Sequence, residues 1–335
     1  MKRCIQLARC GEEGAAPNPM VGAVVVCDGH IIGEGYHRKC GGPHAEVNAI
    51  AAVKDKRLLT RSTIYVSLEP CAHYGKTPPC ADLIVAQRIP RVVIGCQDPF
   101  AKVNGLGIKK LKDAGIEVRV GVLEDECRTL NERFITFHSL HRPWVTLKWA
   151  QSADGFIARA DGSSVRFSTP FTQMLVHKLR AGHKAIMVGA RTAILDNPSL
   201  NVRHWHGENP LRVVMASRPQ PLPSHLNLCQ PSDPSPLVYQ GKSIAEILTD
   251  LYEKGIQSLL VEGGARLHNA FLEAGLWDEL RVEVAPIVLG TGIQSPAWPP
   301  QGMCRTEEYE GNKVLIFRKN CTKDRLKGPF IPNFT

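Results

Sequence analysis

This sequence predicts two α/β domains joined close to residue 142, and three observations lead there. Its 335 residues exceed the roughly 100–200 of an ordinary compact domain and suit a pair. Runs rich in β-branched residues alternate with amphipathic stretches in both halves, the pattern of layered α/β folds. Midway, His141-Arg142-Pro143 couples a polar pair to a helix breaker just before a fresh apolar run, Trp144–Trp149. The domains are accordingly set at 1–142 and 143–335. No motif of one half recurs in the other, so duplication does not account for the length.

In the first half, Val21–Cys27 is apolar and β-branched, and Asp28-Gly29 turns it into a partner strand, His30–Gly35. His44–Val53 places Ala45, Asn48, Ala49 and Ala52 at helical spacing, Ser62–Leu68 reads as a strand and Ala81–Gln87 as a helix. Arg91–Cys96 is another strand. Leu106–Ala114 is a basic amphipathic helix stopped by Gly115, Ile116–Val120 a strand, and Glu124–Leu140 one closing helix.

After Trp144–Trp149, the second half offers strands at Ala185–Gly189, Leu211–Ala216, Pro236–Tyr239, Ser258–Val261, Glu279–Val284 and Val314–Lys319. Helices are expected near Pro170–Arg180, Ser243–Lys254 and Arg266–Ala274. Arg218–Ser235 is dense in Pro and Ser and reads as a surface excursion.

With 43% hydrophobic and 22% charged residues, the chain can bury sizeable cores, which excludes wholesale disorder. No apolar stretch approaches the roughly 18–20 residues of a membrane span. Met1 to Gly11 carries Lys2, Arg3 and Arg9 and lacks the apolar segment of a secretory signal. The 11 cysteines are odd in number and scattered, a poor disulfide framework for a chain of this size. A soluble, cytoplasmic protein is expected. The formal charge of +9 would serve nucleic acid, an anionic membrane or phosphorylated metabolites, and does not choose among them.

The strongest local signal is His44-Ala45-Glu46, followed after a strand by Glu69-Pro70-Cys71 and then Cys80. One nitrogen and two sulfurs suit zinc, and three protein ligands leave a fourth position for water, whose pKa the metal lowers to about 7. Glu46, two residues beyond His44 at a helix start, can move that water's proton onto a departing amine without being a ligand. This order of residues is that of the zinc nucleobase deaminases, but the loop from Ala72 to Pro79 is longer than their Cys-x-x-Cys. It carries His73 and Lys76 toward the metal. By contrast, His37, His138, His141 and His183 have no spaced partner and are expected to be surface or satisfied core residues.

The match extends beyond one motif. Pro17–Gly22, His44–Val47, Leu68–Cys80 and Gln97-Asp98-Pro99, then Lys148, Ser152–Gly155, Thr192, Asp196-Asn197-Pro198, Val202-Arg203 and Val261–Gly264, resemble the bifunctional riboflavin-biosynthesis deaminase/reductase family over nearly the whole chain. The resemblance implies a cytidine-deaminase-like α/β/α layered first domain and a dihydrofolate-reductase-like α/β second domain. It implies zinc-dependent hydrolysis of an amino group from a phosphoribosylated diaminopyrimidinone, then NADPH-dependent reduction of the ribosyl group to ribityl phosphate.

Carried over by position, Ala150, Thr192, Asp196, Ser217 and the run Gly264, Ala265, Arg266, Leu267, His268, Asn269 and Ala270 match the family's NADPH positions. Ser164, Arg180, Leu200, Arg203 and Glu262 match its substrate positions, and Asn18 a pocket residue. Arg166 stands where many relatives carry Trp and could engage cofactor phosphate. The family also implies a homo-oligomer acting on phosphoribosylated pyrimidines, with no nucleic-acid or membrane partner. Phosphate on both substrates and cofactor accounts for the basic balance. A nucleic-acid-editing zinc deaminase with a non-catalytic second half would explain His44, Glu46 and the charge, yet leaves Asp196, Arg203 and Glu262-Gly263-Gly264 without roles. A non-enzymatic zinc scaffold would give Glu46 no role.

Overall fold

The computed structural model describes residues 1–74, 78–100, 103–163, 165–218, 221–230, 235–297 and 303–319. The chain divides into two compact units, Met1–His141 and Arg142–Thr335. Arg142 goes with the second because its guanidinium grips both oxygens of Asp278 at 2.6 and 2.7 Å.

The first unit runs α1 (Lys2–Arg9), β1 (Gly22–Cys27), β2 (His30–Tyr36), α2 (Ala45–Ala52), β3 (Thr63–Leu68), α3 (Cys80–Ala86), β4 (Arg91–Cys96), α4 (Leu106–Asp113), β5 (Glu117–Val120), α5 (Glu124–Leu130) and α6 (Glu132–Leu140). Its sheet has the order β2-β1-β3-β4-β5, with β1 antiparallel to both neighbours and β3, β4 and β5 parallel. Because strand side chains alternate between faces, Val25, Ile64, Val66 and Ile94 pack on Ala49, Ile50, Ala81, Ile84 and Leu111 of α2, α3 and α4. At the ends of β3 and β4, Leu68 and Cys96 instead join Ile5 of α1 and Cys127 of α5 in a separate cluster, and on the face opposite Ile94 the absent side chain of Gly95 leaves room for Cys127 of α5. The result is an α/β/α sandwich. Gly33 and Gly35 let α2 lie directly on β2, since a Cβ there would meet the Ala49 carbonyl oxygen at 2.3 Å or its nitrogen at 2.4 Å.

One expected helix is two. Asn131 breaks Glu124–Leu140 because its amide, buried, accepts from the Met20 N–H at 2.8 Å and donates to the Met20 carbonyl at 2.9 Å. Helix α1 was not expected, and buries only Cys4, Ile5 and Ala8.

The second unit runs β6 (Trp144–Gln151), β7 (Phe156–Ala158), α7 (Pro170–Ala181), β8 (Ala185–Gly189), α8 (Ala190–Asp196), β9 (Leu211–Ala216), β10 (Leu237–Gln240), α9 (Ile244–Glu253), β11 (Ser258–Gly263), α10 (Ala265–Glu273), β12 (Glu279–Val284), β13 (Ile293–Gln294), β14 (Met303–Tyr309) and β15 (Asn312–Arg318). Its main sheet has the order β10-β9-β8-β11-β6-β12-β15-β14. The strands from β10 to β12 are parallel, and β15 and β14 close the far edge as an antiparallel pair. Val145, Leu147 and Val261 face Ile247, Leu251 and Phe271 of α9 and α10. Ile186, Val188 and Leu260 face Ala193 of α8 together with Leu200, Leu226 and Leu228. The surface-excursion reading of Arg218–Ser235 is therefore corrected: Leu226 and Leu228 of that segment are buried at 1% and 0% exposure. Apolar side chains among the prolines draw it into the core.

Candidate active sites

In the first unit β3, the central strand, delivers Glu69-Pro70-Cys71 just past its carboxyl end. The buried Glu69 carboxylate accepts four backbone N–H groups, from Asp98 at 3.3 Å, Gly105 and Gly107 at 3.0 Å and Ile108 at 3.1 Å. This clamps the chain beyond β3 to the start of α4 and fixes where Cys71 begins. Cys80 opens α3 and His44 caps α2. His44 Nδ1 lies 3.5 Å from Cys71 Sγ and 3.3 Å from Cys80 Sγ, and all three atoms fall within 4.8 Å of one another. Zinc bound tetrahedrally at ordinary Zn–N and Zn–S lengths separates nitrogen from sulfur by about 3.5 Å, so the donor set fits that metal.

Without a metal, the two thiols share one proton. Cys71 is driven well below the usual thiol range, first by the hydrogen bond from the Cys80 thiol, against its burial, and then by His44, while Cys80 is driven up. The Cys80 backbone N–H also donates to Cys71 Sγ at 3.3 Å. Glu46, in the first turn of α2, is 3% exposed, and burial pushes its carboxyl up to about 7 against the opposing pull of His44.

Of the expected pocket residues, Asn18 donates to His37 Nε2 at 3.1 Å, and His37 Nδ1 donates to the Pro43 carbonyl at 3.1 Å. His37 is thus a satisfied buried residue, and its ring also meets that of His44 edge-on at 5.4 Å. His73 is exposed and packs against Phe100, with ring centroids 6.2 Å apart. Lys76 lies outside the described residues. Asp98 has no role assigned by the catalytic motifs. It is buried, which pushes it up to about 6, and it accepts the Phe100 N–H at 2.8 Å. Only its motif, Gln97-Asp98-Pro99, signalled it.

The second unit gathers its expected residues at the carboxyl ends of the parallel strands, where open α/β sheets bind ligands. Gly264, at φ +77°, turns β11 into α10. A Cβ on Gly263 would meet Thr192 Cγ2, and one on Gly264 would meet Thr192 Oγ1, each at 2.9 Å. Two expected cofactor positions therefore touch. Ala150, on β6, is half-buried, whereas Asp196, Ser217, Arg166 and Arg266 are exposed. Within the α10 run, Ala265 and Ala270 are half-buried, but Leu267 and His268 point into the core, His268 bonding the Val261 carbonyl at 3.1 Å. Their side chains are packing residues, and their backbone N–H groups both donate to the Gly264 carbonyl, at 3.0 and 3.1 Å, so the run can meet a ligand at Gly264, Ala265 and Arg266 rather than at these two. Asn269 holds a buried Oδ1 without a hydrogen-bond partner among the described residues, and an unpaired acceptor on the helix that the glycine turn opens fits a polar cofactor.

Among the substrate positions, Arg180 and Glu262 hold each other. Nε donates to Oε1 at 2.8 Å and Nη2 to Oε2 at 2.6 Å, with side chains only 12% and 10% exposed. Arg180 Nη1 also reaches the Asn201 carbonyl at 3.1 Å. Burial would raise Glu262, but Arg180 outweighs it and holds the carboxyl below its ordinary value. Arg203 is exposed, its Nη1 donating to Asn201 Oδ1 at 3.0 Å and its backbone N–H to His177 Nδ1 at 3.2 Å. Leu200 bends at φ +52° and buries its side chain in the core, so only its backbone is available to a substrate. Ser164 lies outside the described residues. His177 was missed, having no motif around it. Lys148, 4.0 Å from the buried Glu283, was noted only within the resemblance.

Comparison with known proteins agrees with both halves. Residues 1–96 match the model for the cytidine and deoxycytidylate deaminase zinc-binding region, and residues 143–311 match that for the RibD C-terminal domain. The riboflavin biosynthesis protein RibD of Aquifex aeolicus is 40% identical over 88% of each chain. That of Escherichia coli is 36% identical over 94% of this chain and 97% of its own. A solved structure from Thermotoga maritima, described as a diaminohydroxyphosphoribosylaminopyrimidine deaminase/5-amino-6-(5-phosphoribosylamino)uracil reductase, is 38% identical, covers 95% of this chain and 97% of its own, and superposes with a TM-score of 0.83. The RibD of Acinetobacter baumannii gives 0.84 at 34% identity over the same shares. A zinc-binding deaminase region on an α/β/α sandwich, followed by this reductase domain, places the chain in the RibD family of bifunctional riboflavin-biosynthesis deaminase/reductases.

Proposed function

We propose that the first unit hydrolyses 2,5-diamino-6-(5-phosphoribosylamino)pyrimidin-4-one to 5-amino-6-(5-phosphoribosylamino)uracil and ammonia, and that the second reduces the ribosyl group of that product to ribityl phosphate. The observation that carries the reading is the convergence of His44, Cys71 and Cys80 at zinc spacing beside the buried Glu46. The two activities are assigned to residues 1–142 and 143–335, with Arg142 at the junction packed into the second unit.

Zinc, when bound by His44, Cys71 and Cys80, supplies an activated water at its remaining position. Glu46 takes a proton from the attacking water and returns it to the departing amine, so the C–N bond breaks with ammonia as leaving group. Asn18, its amide nitrogen held by His37 Nε2, is assigned to the substrate pocket with its amide oxygen, free among the described residues, as the acceptor, and His73 and Lys76 to the polar end of the substrate.

NADPH, when bound, supplies the reducing equivalent in the second site. The Gly264 turn, Thr192 and the start of α10 give its phosphates close backbone approach, with Ala150, Asp196, Ser217, Asn269 and the exposed Arg166 and Arg266 around it. Glu262 accepts from ribose hydroxyls. The Arg180 fork is taken by Glu262, so Arg180 orients that carboxylate and the exposed Arg203 is the principal cation for phosphate. Ser164 and Leu200 complete the substrate positions.

Nine cysteines, from Cys4 to Cys229, stand as free thiols, which supports the cytoplasm as the proposed compartment. No described helix is long and apolar enough to cross a membrane. A homo-oligomer is expected, and a monomer mass in sedimentation would refute it. The reading is tested by adding the phosphoribosylated diaminopyrimidinone and NADPH to purified protein and following ammonia and cofactor absorbance together. Ammonia first, then NADPH oxidation in equal amount, is expected. Salt-dependent RNA binding with no NADPH oxidation would favour a nucleic-acid deaminase instead.

A further inference from the structure

We infer that His177 is a positioning residue of the reductase half, accepting the Arg203 backbone N–H to fix the loop that presents Arg203 to the substrate phosphate. This rests on the proposed role of Arg203. Helix α7 is set at its start by Thr169, whose side chain accepts from Thr172 N–H, and by Pro170 in the first turn. His177 and Arg180 lie three residues apart and so share one face of it. That face looks onto the segment after α8, where Asn197 and Leu200 bend at φ +39° and +52° and no helix or strand is described before Leu211.

A stretch without a hydrogen-bond ladder needs other anchors. Asn227 holds its start, the N–H donating to Asn197 Oδ1 at 2.7 Å and Nδ2 to the Asn197 carbonyl at 2.8 Å. Around Arg203 the anchors are Val202 N–H to Asn209 Oδ1 at 2.8 Å, Arg180 Nη1 to the Asn201 carbonyl at 3.1 Å and Arg203 N–H to His177 Nδ1 at 3.2 Å, the last two from α7. Since Arg180 also holds Glu262, one helix ties the hydroxyl acceptor and the phosphate cation into a single frame. His177 is 1% exposed and meets the His204 ring edge-on at 4.8 Å. Burial, reinforced by Arg180 and Arg203, lowers it to about 4. The ring is therefore neutral near pH 7, with a lone pair for the amide.

The test uses the full-length protein, the deaminated phosphoribosyl substrate and NADPH, each varied in turn. His177→Leu removes the acceptor while filling most of the space, and should raise KM for the phosphorylated substrate about tenfold, the cost of one buried hydrogen bond. Its kcat and its KM for NADPH should stay within about twofold. His177→Asn, whose Oδ1 can replace Nδ1 as acceptor, should recover most of the loss. Unchanged substrate KM in His177→Leu would overturn the inference, as would equal defects in Leu and Asn variants of the same melting temperature. If His177→Leu does not fold, a folded His177→Asn with a KM more than about fivefold above the parent overturns it, and one within that range upholds it. Arg203→Ala runs alongside: if it leaves substrate KM unchanged, the phosphate role of Arg203 fails and the inference with it, whereas a raised KM there with none in His177→Leu rejects His177 alone.

Discussion

His44, Cys71 and Cys80 converge because the backbone brings them together: two helix starts and one strand end, the last clamped through Glu69 by four amides. Glu262 and Arg203 stand differently. Each depends on a side chain from α7, Arg180 for the one and His177 for the other. The difference teaches where each site is fragile. Beyond its ligands and proton carrier, the metal site leans on one buried side chain, Glu69, whereas the second site has two such dependences, and each of its charged groups fails when its own α7 partner goes.

The largest effect expected is in the first unit. Glu46→Gln should lower ammonia release by about 10²–10⁴-fold, keep its zinc by elemental analysis, and still oxidise NADPH when given the deaminated product. Loss of both reactions in a folded variant would end the division of labour. In the second unit, Arg180→Met leaves Glu262 buried without its partner, at a cost of about 3–5 kcal/mol. Denaturant unfolding should show that loss, and Arg180→Met/Glu262→Met should recover part of it. A double variant as unstable as the sum of the singles would mean the pair is not coupled.

Much of this contrast can be read from the sequence. The metal ligands are chemically distinctive and cluster in two short motifs, so His44, Glu46, Cys71 and Cys80 stand out without any structure. Arg180, Arg203 and Glu262 are ordinary charged residues that gain meaning only through the family resemblance, and their mutual pairing is a tertiary fact. His177 carries no local signal, because its partner is a backbone amide far along the chain. The strand alternation was legible from β-branched runs, since parallel strands buried on both faces are nearly continuous apolar segments. Helix α1 was not, its apolar residues being few among charges. The Asn131 break was hidden too, as it depends on Met20 across the fold.

Two smaller effects sharpen the comparison. Arg203→Ala should raise KM for the phosphorylated substrate about 10–100-fold, as for loss of a charge-assisted hydrogen bond, with steady-state kinetics on the deaminated product as the check. Equal kinetics in mutant and parent would remove Arg203 from the site. A pH effect follows from His268, which burial lowers to about 4 inside the fold. The unfolded chain, with an ordinary histidine near 6.5, binds the proton first, so stability is present above about pH 6.5 and is lost as pH falls toward 4. His268→Gln should flatten that part of the stability curve for the second unit; an unchanged slope would show that His268 does not contribute.

Exhaustive removal of metal, followed by parallel assays of ammonia release and of NADPH oxidation on the deaminated product, tests the central claim most directly. Ammonia release should vanish and return with one zinc per chain, while NADPH oxidation persists throughout. Full ammonia release by metal-free protein would contradict the account.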